Sequence, residues 1–335
     1  MPTFSELIAI AELGDLVLDG LPLPGLTAFA FTSRANYLRV QDYIRSKFRR
    51  LFTPFKIGLK SMMTILRFTG SIIVGSVALK AVAPADAPIH PGGLDLVVPM
   101  GQLSSLESWL AKLKYEYLAE RPLAPNSRRA IPYATRFSYA RRQGDRVSHV
   151  HIYAVHKQTA VYEFIFYGSN TSTMNYISYN GLYSAYRSLL DQGLAAKNHT
   201  TNMIPYFFIA RAALSEQNAL DDANNLKAIQ RGFQMIAPVP SAPTGHTYSK
   251  CECVHLAACP CTIRHTHDLS GAYLRFMNGG EYRSFKYESD SLPRTHTKPP
   301  ITFWKLADVQ GSSRGFAFLL TERRLFNMLH EIRLP

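Results

Sequence analysis

Hydrophobic and polar positions change texture along this chain near residue 63. Before it, apolar residues recur at helical spacing. Glu6 through Leu18 reads as an amphipathic helix, Leu21-Pro-Leu-Pro-Gly25 as a break, and the stretch from about Ser33 to Phe52 as a second helix. From Ile65 onward shorter, β-branched runs take over. Ser71–Val74 lies between Gly70 and Gly75 and predicts a strand. Ser76–Val82 predicts one or two helical turns, Ala83–Gly93 a loop rich in Pro and Ala, and Leu94–Val98 a second buried strand. Leu106, Trp109, Leu110, Leu113 and Tyr117 recur at helical spacing and predict a helix over Leu103–Glu120. Thr135–Arg141 and Val147–Tyr153 alternate around Gly144-Asp145, a hairpin pattern, and Val161–Phe166 predicts a fourth strand. Residues 172–236 turn helical again, Pro238 to Pro243 reads as a linker, Ile301–Leu306 is strand-like, and Thr321–Arg333 predicts a last helix.

That order predicts an α+β protein: a small mixed β-sheet flanked by helices, with a Cys/His-rich appendage. The expected division is a helical N-terminal region over 1–62, a sheet domain over 63–170, a helical region over 171–237, and a remainder over 238–335 holding linker, Cys/His segment and a C-terminal strand and helix. The chain has 335 residues, enough for one large or two ordinary domains, and its 47% hydrophobic and 12% aromatic content fits a folded protein rather than a disordered one. Charged residues are 18% and the formal balance is +13, a surface that suits polyanions such as nucleic acid or nucleotide phosphates. The most apolar stretch, Phe68–Leu79, has 12 residues, too short to span a bilayer. The N-terminus lacks a basic start and carries Glu6, Glu12, Asp15 and Asp19, so it does not read as a secretory signal. The expectation is an intracellular protein, cytoplasmic or nuclear, with no membrane association. The four cysteines crowd between Cys251 and Cys261, unlike a disulfide framework.

Gly75-Ser76 follows a strand and opens a helix, where outward N–H groups and the positive dipole end suit phosphate. It is not a P-loop: Gly70-x4-Gly75 has the spacing, but Ser76 stands where the lysine belongs. The unit instead resembles the nucleotidyltransferase fold, in which a Gly-Ser turn, a helix and a strand bearing Asp-x-Asp hold magnesium ions against nucleotide phosphates. The strand here reads Gly93-Leu94-Asp95-Leu96-Val97-Val98, so Asp95 matches the second acid and Gly93 replaces the first. Where a later strand would add a third acid, Val147–Tyr153 offers His149 and His151. One carboxylate does not balance two magnesium ions, so magnesium is not an expected cofactor. The resemblance then implies a degenerate, pseudoenzyme-like site: Gly75 and Ser76 binding phosphate through backbone donors, Asp95 making at most one metal contact.

A wider stretch, about 65–275, resembles an uncharacterised group of proteins from mushroom-forming fungi. Its members carry a Gly-Ser…Asp-Leu-Asp-Leu strand, a Thr-x-x-Met-Asn segment before a Tyr-containing helix, and a late Cys-Pro-x-x-x-Arg run. The matching residues are Thr171-Ser172-Thr173-Met174-Asn175, Tyr183-Ser-Ala-Tyr186 and Cys259-Pro260-Cys261-Thr262-Ile263-Arg264.

Cys251, Cys253, His255, Cys259, Cys261, His265 and His267 fall within seventeen residues. The four thiols, with the histidines as alternative ligands, could hold a structural zinc ion. The competing reading is a loop of reduced thiols with solvent-facing histidines. Leu16–Tyr43, with Thr32-Ser33-Arg34, is similar to the later half of an F-box, which implies a Skp1-type adaptor as partner; the plainer expectation is a helical pair packed on the sheet domain. Eight basic residues lie between Arg39 and Arg67, interleaved with Tyr43, Phe48, Phe52 and Phe55. Such a run suits single-stranded nucleic acid, but a helix with snorkelling cations over a core is preferred. The leading function is therefore a nucleotidyltransferase-like protein, catalytically degenerate, that binds nucleotide or nucleic-acid phosphate. The alternatives are an F-box-like adaptor without catalysis, and an active nucleotidyltransferase recruiting another acid such as Asp145 or Glu163.

Overall fold

Ser33 shows how local chemistry sets the N-terminal helices. Its Oγ accepts a hydrogen bond from the Asn36 N–H at 3.1 Å, the usual way of satisfying a free donor at a helix start. The computed structural model describes residues 11–122, 134–156, 160–198 and 211–236, with short strands at 264–265, 272–275, 302–304 and 319–321. Helix α1 is Ala11–Gly20, α2 is Leu23–Thr32 and α3 is Arg34–Phe52. The Leu21–Gly25 segment, expected to be a break only, in fact starts α2. Pro24 sits in its first turn, where a missing N–H costs nothing. Tyr43 donates to Asp19 at 2.5 Å and Arg39 to Asp15 at 2.8 Å, joining α1 to α3. Tyr43, Phe48, Phe52 and Phe55 are all buried, so the aromatics of the basic run build core. Helix α4, Leu59–Thr69, follows, and Gly70 ends it in the left-handed conformation.

The strands in chain order are β1 (Ile72–Val74), β2 (Leu94–Pro99), β3 (Glu116–Pro122), β4 (Ala134–Gln143), β5 (Arg146–Val155), β6 (Asn175–Ser178), β7 (Gly181–Ser184), β8 (Leu194–Ala196), β9 (Gln234–Ile236), β10 (Arg264–His265), β11 (Ala272–Arg275), β12 (Thr302–Trp304) and β13 (Leu319–Thr321). Eight form one mixed sheet in the order β11-β7-β6-β1-β2-β5-β4-β3. Strand β2 runs parallel to β5 and antiparallel to β1. Helix α5, Gly75–Val82, links β1 to the loop before β2. The centre of the sheet is covered on both sides. Ile73, Leu94, Leu96, Val98, Val150 and Ile152 belong to one apolar cluster; Ile72, Val74, Val97 and Val155 belong to another, with Val161, Ile165 and Phe166. This is why the central strands read as continuous apolar runs. Each such side chain contributes about 1.5–3 kcal/mol by its burial.

The protein is thus a mixed α+β fold, as expected, but several elements differ. Helix α6 is Leu103–Lys112 and stops short of Glu120, because Lys114 takes a left-handed φ of 61° and sends the chain into β3. Val161–Phe166 is no strand: α7 (Ala160–Glu163) and a 3-10 turn (Phe164–Tyr167) replace it. Val161 and Ile165, four apart, both enter the second cluster, a helical spacing that a short apolar run does not distinguish from a strand. The stretch 172–236 is not wholly helical. It holds β6, β7, α8 (Arg187–Asp191) and β8 before the long helix α9 (Arg211–Gln230) and β9, so the sheet continues past residue 170. Tyr183 lies in β7 and Tyr186 precedes α8, so the implied Tyr-containing helix is a strand and a short turn of helix. Strand β12 falls inside the expected Ile301–Leu306. The helix expected over Thr321–Arg333 lies outside the described residues, save Thr321, which ends β13. Among the described residues no helix is long and apolar enough to cross a membrane.

Candidate functional site

Strand β1 ends at Val74, and the chain turns through Gly75, whose φ is +69°, into α5. Asp95 pairs with Val74 across the β1–β2 ladder, which brings its carboxylate to the turn. A Cβ on Gly75 would overlap Asp95 Oδ2 and lie 3.2 Å from its Cγ. Glycine is therefore needed twice here, for its backbone and for the room it leaves. The first turn of α5 holds no acid of its own, so Asp95 supplies the negative charge that its positive end favours.

On the other side of β2, Asp95 is in register with His151 on β5. His149 lies two residues earlier on the same face, its ring 6.4 Å from that of His151 and nearly parallel at 13°. His151 Nδ1 is 3.3 Å from Ser138 Oγ, and its Nε2 side faces Gly93, where a Cβ would sit 3.5 Å away. Burial, reinforced by Arg136 and His149, pushes the His151 pKa down to about 4, so the ring is neutral at neutral pH.

Helix α9 closes the site from above. Ser169 donates to Asp221 at 2.7 Å, Asn170 to Asn225 at 3.1 Å, and Asn224 to Ser169 at 3.2 Å, while Ala228 and Phe233 are buried in the core. These contacts place Lys227, Gln230 and Arg231 over the Asp95–His151 pair. Burial lowers the Arg231 pKa and the Asp95 carboxylate opposes that shift. With Ser76 and the Pro88–His90 loop, these groups enclose an open cleft of about 710 Å³.

The structure thus brings together Ser76, Gly93, Asp95, His149 and His151, with Gly75 directly against Asp95. Asp145 sits at the exposed tip of the β4–β5 hairpin and Glu163 is buried on α7; neither lines the cleft. The cations at the C-terminal end of α9, Lys227 within it and Arg231 just past it, escaped the sequence reading. Their signal was Lys227 and Arg231 four apart, one helical face, on a segment whose partner was not evident. The Thr171–Asn175 motif is structural. Thr171 Oγ1 accepts from the Ala196 N–H at 2.9 Å, Thr173 donates to the Asn170 carbonyl at 2.8 Å, and Asn175 donates to the Ser172 carbonyl at 2.6 Å. Cys251, Cys253, His255, Cys259, Cys261 and His267 lie outside the described residues, and His265 lies on β10, paired with Phe303 of β12. Among the described residues no group of three or more His, Cys, Asp or Glu side chains could hold a metal ion. Among the residues that line the cleft the carboxylate is Asp95, with a neutral imidazole on one side and a guanidinium near it. Comparison with family models and with curated proteins finds no match.

Proposed function

We propose that this protein is a nucleotidyltransferase-like scaffold, degenerate in catalysis, that binds the phosphate of a nucleotide or nucleic acid in this cleft. The observation that carries the reading is that Lys227 and Arg231 line the same cleft as Ser76, the second residue of the Gly75-Ser76 turn. The order strand, Gly-Ser turn, helix, acid-bearing strand, with a later strand beside it, supports the resemblance. His151 in register with Asp95 supports the loss of chemistry, since a neutral ring does not hold magnesium in place of a carboxylate. Each charge-assisted hydrogen bond to phosphate contributes about 1.5–3 kcal/mol, so losing one cation weakens binding roughly tenfold or more. Calorimetry with ATP tests this. Binding is expected without magnesium, little changed by adding it, and weakened at least about tenfold in Lys227→Glu. Absence of ATP binding in either condition would overturn the proposal.

The adaptor reading has an observation of its own. Leu16, Phe31 and Leu38 on the N-terminal helices are 68%, 80% and 52% exposed, and exposed apolar side chains mark a docking surface where they are contiguous. Co-purification with a Skp1-type protein, lost in the Leu16→Asp/Phe31→Asp variant, is its expected result; capture that survives both substitutions sinks it.

A further inference from the structure

Strands β4 and β5 reach well past the cleft, and their faces differ. Phe137 and Tyr139 of β4 turn to one side, where they pack on the main core and Tyr139 donates to Glu107 at 2.7 Å. The other side carries the cross-strand pairs His151 with Ser138, His149 with Ala140, and Val147 with Arg142. Along this side exposure rises toward the hairpin tip. His149 and His151 are half-buried, Val147 is 43% exposed, and Arg142 is exposed. At the inner end Arg136 lies over the Tyr153 ring at 5.9 Å, and Phe164 packs on that ring at 4.9 Å, which closes the face there. The open face therefore leads from the cleft outward.

We infer that the cleft is one end of a strip along the β4–β5 hairpin that takes single-stranded nucleic acid. This rests on the phosphate-binding reading above and extends it. The first argument is charge. Arg142 adds a guanidinium to the outer part of the face whose inner end opens on the cleft lined by Lys227 and Arg231, with Asp95 the acid that lines the cleft. The second is length. From His151 to Val147 the strand advances about 13 Å at roughly 3.3 Å per residue, so a ligand that fills the cleft and also reaches Arg142 is longer than one mononucleotide. The third is shape. His149 and His151 present near-parallel flat rings beside the cations, and rings next to a basic groove are what unpaired bases and their backbone use.

The test compares a fluorescein-labelled decathymidylate, by anisotropy, with ATP, by calorimetry, on the full chain. The oligonucleotide is expected to bind at least tenfold more tightly than ATP. Arg142→Glu is expected to weaken the oligonucleotide about tenfold and to lower its salt slope by about 1, leaving ATP unchanged. Arg142→Gln is expected to fall between, and Arg142 is exposed near a strand end, so a thermal melt checks that both variants fold. If ATP binds but the oligonucleotide is no tighter, or Arg142→Glu changes neither, the strip is overturned and the cleft stands. If a duplex of the same length binds equally well, the single-strand assignment is overturned. If neither ATP nor the oligonucleotide binds, the phosphate-binding reading falls and the strip with it.

Discussion

Gly75→Ala is the sharpest probe of the turn. The alanine would hold a left-handed φ of +69°, which costs about 1–2 kcal/mol for a residue with a Cβ. Its methyl would also overlap Asp95 Oδ2, so the carboxylate must leave the helix start. An acid near a helix N-terminus is worth about 0.3–1 kcal/mol when exposed and up to about 2 when partly buried. The expected loss is therefore about 1–4 kcal/mol, combining these two effects. In an Asp95→Ala background the overlap is gone, and Gly75→Ala should cost only the backbone part, about 1–2 kcal/mol. Urea unfolding of the four proteins measures both costs and their coupling. Equal cost of Gly75→Ala in the two backgrounds would show that Asp95 is not what the glycine makes room for.

Other outcomes follow from the same geometry. His151 has a pKa of about 4 in the fold against about 6.5 unfolded, so its neutral form favours the fold. That stability is complete above about pH 6.5 and is lost as pH falls toward 4; with the ring half-exposed, screening leaves about 1–2 kcal/mol. Unfolding curves of the wild type and His151→Gln should diverge over this window, and parallel curves would contradict the burial argument. Asn225→Ala leaves the buried Asn170 amide without its partner, costing about 1–3 kcal/mol and loosening the helix that carries Lys227 and Arg231; ATP affinity that stays at the wild-type value would mean this contact does not position them. We propose that the Cys251–His267 segment holds structural zinc: elemental analysis should find near one zinc per chain, reduced in Cys251→Ser, and under half an equivalent would count against it. Gly93 leaves ordinary contact distance to His151, so Gly93→Asp with His151→Asp can restore a carboxylate set. ATP binding by that double variant should become magnesium-dependent, and indifference to magnesium would weaken the scaffold reading.

What could be read from the sequence divides along burial. Ile72–Val74 and Leu94–Pro99 were legible because buried central strands are apolar on both faces, and the β4–β5 hairpin because alternation surrounds Gly144-Asp145. Val161–Phe166 was misread because a run of six residues, five of them apolar, carries too little period to choose between strand and helix. The stretch 172–198 was misread for another reason. Its strands hold Asn175, Ser178 and Ser184, and the turn between them Asn180, in buried positions, so polar side chains interrupt the pattern that would mark a strand. Of the site, the half on neighbouring strands was visible, since Gly75 and Asp95 sit in one strand–turn–helix–strand unit and the histidines on the strand beside it. The half on α9 was not. Its approach depends on hydrogen bonds from Ser169 and Asn170 to residues more than fifty positions away, and no local pattern encodes them.

Asp95 decides between the two chemistries this cleft could have served. If it anchors a metal that bridges phosphate, neutralising it must weaken ligand binding. In the structure it lies against the Gly75 turn and near Arg231, the two groups that phosphate itself would seek. An incoming phosphate then competes with a resident carboxylate. Two unit charges about 8 Å apart repel by about 2 kcal/mol at the effective dielectric of a protein surface, and ionic screening reduces this to roughly 1 kcal/mol. Asp95→Asn keeps the shape and removes the charge, so it should tighten magnesium-free ATP binding by roughly fivefold, as 1.4 kcal/mol is tenfold. It should also flatten any response to added magnesium. Calorimetry on the one variant reads both. Weaker binding in Asp95→Asn would mean that the carboxylate serves the ligand, and the cleft would have to be read as a metal-bridged site after all.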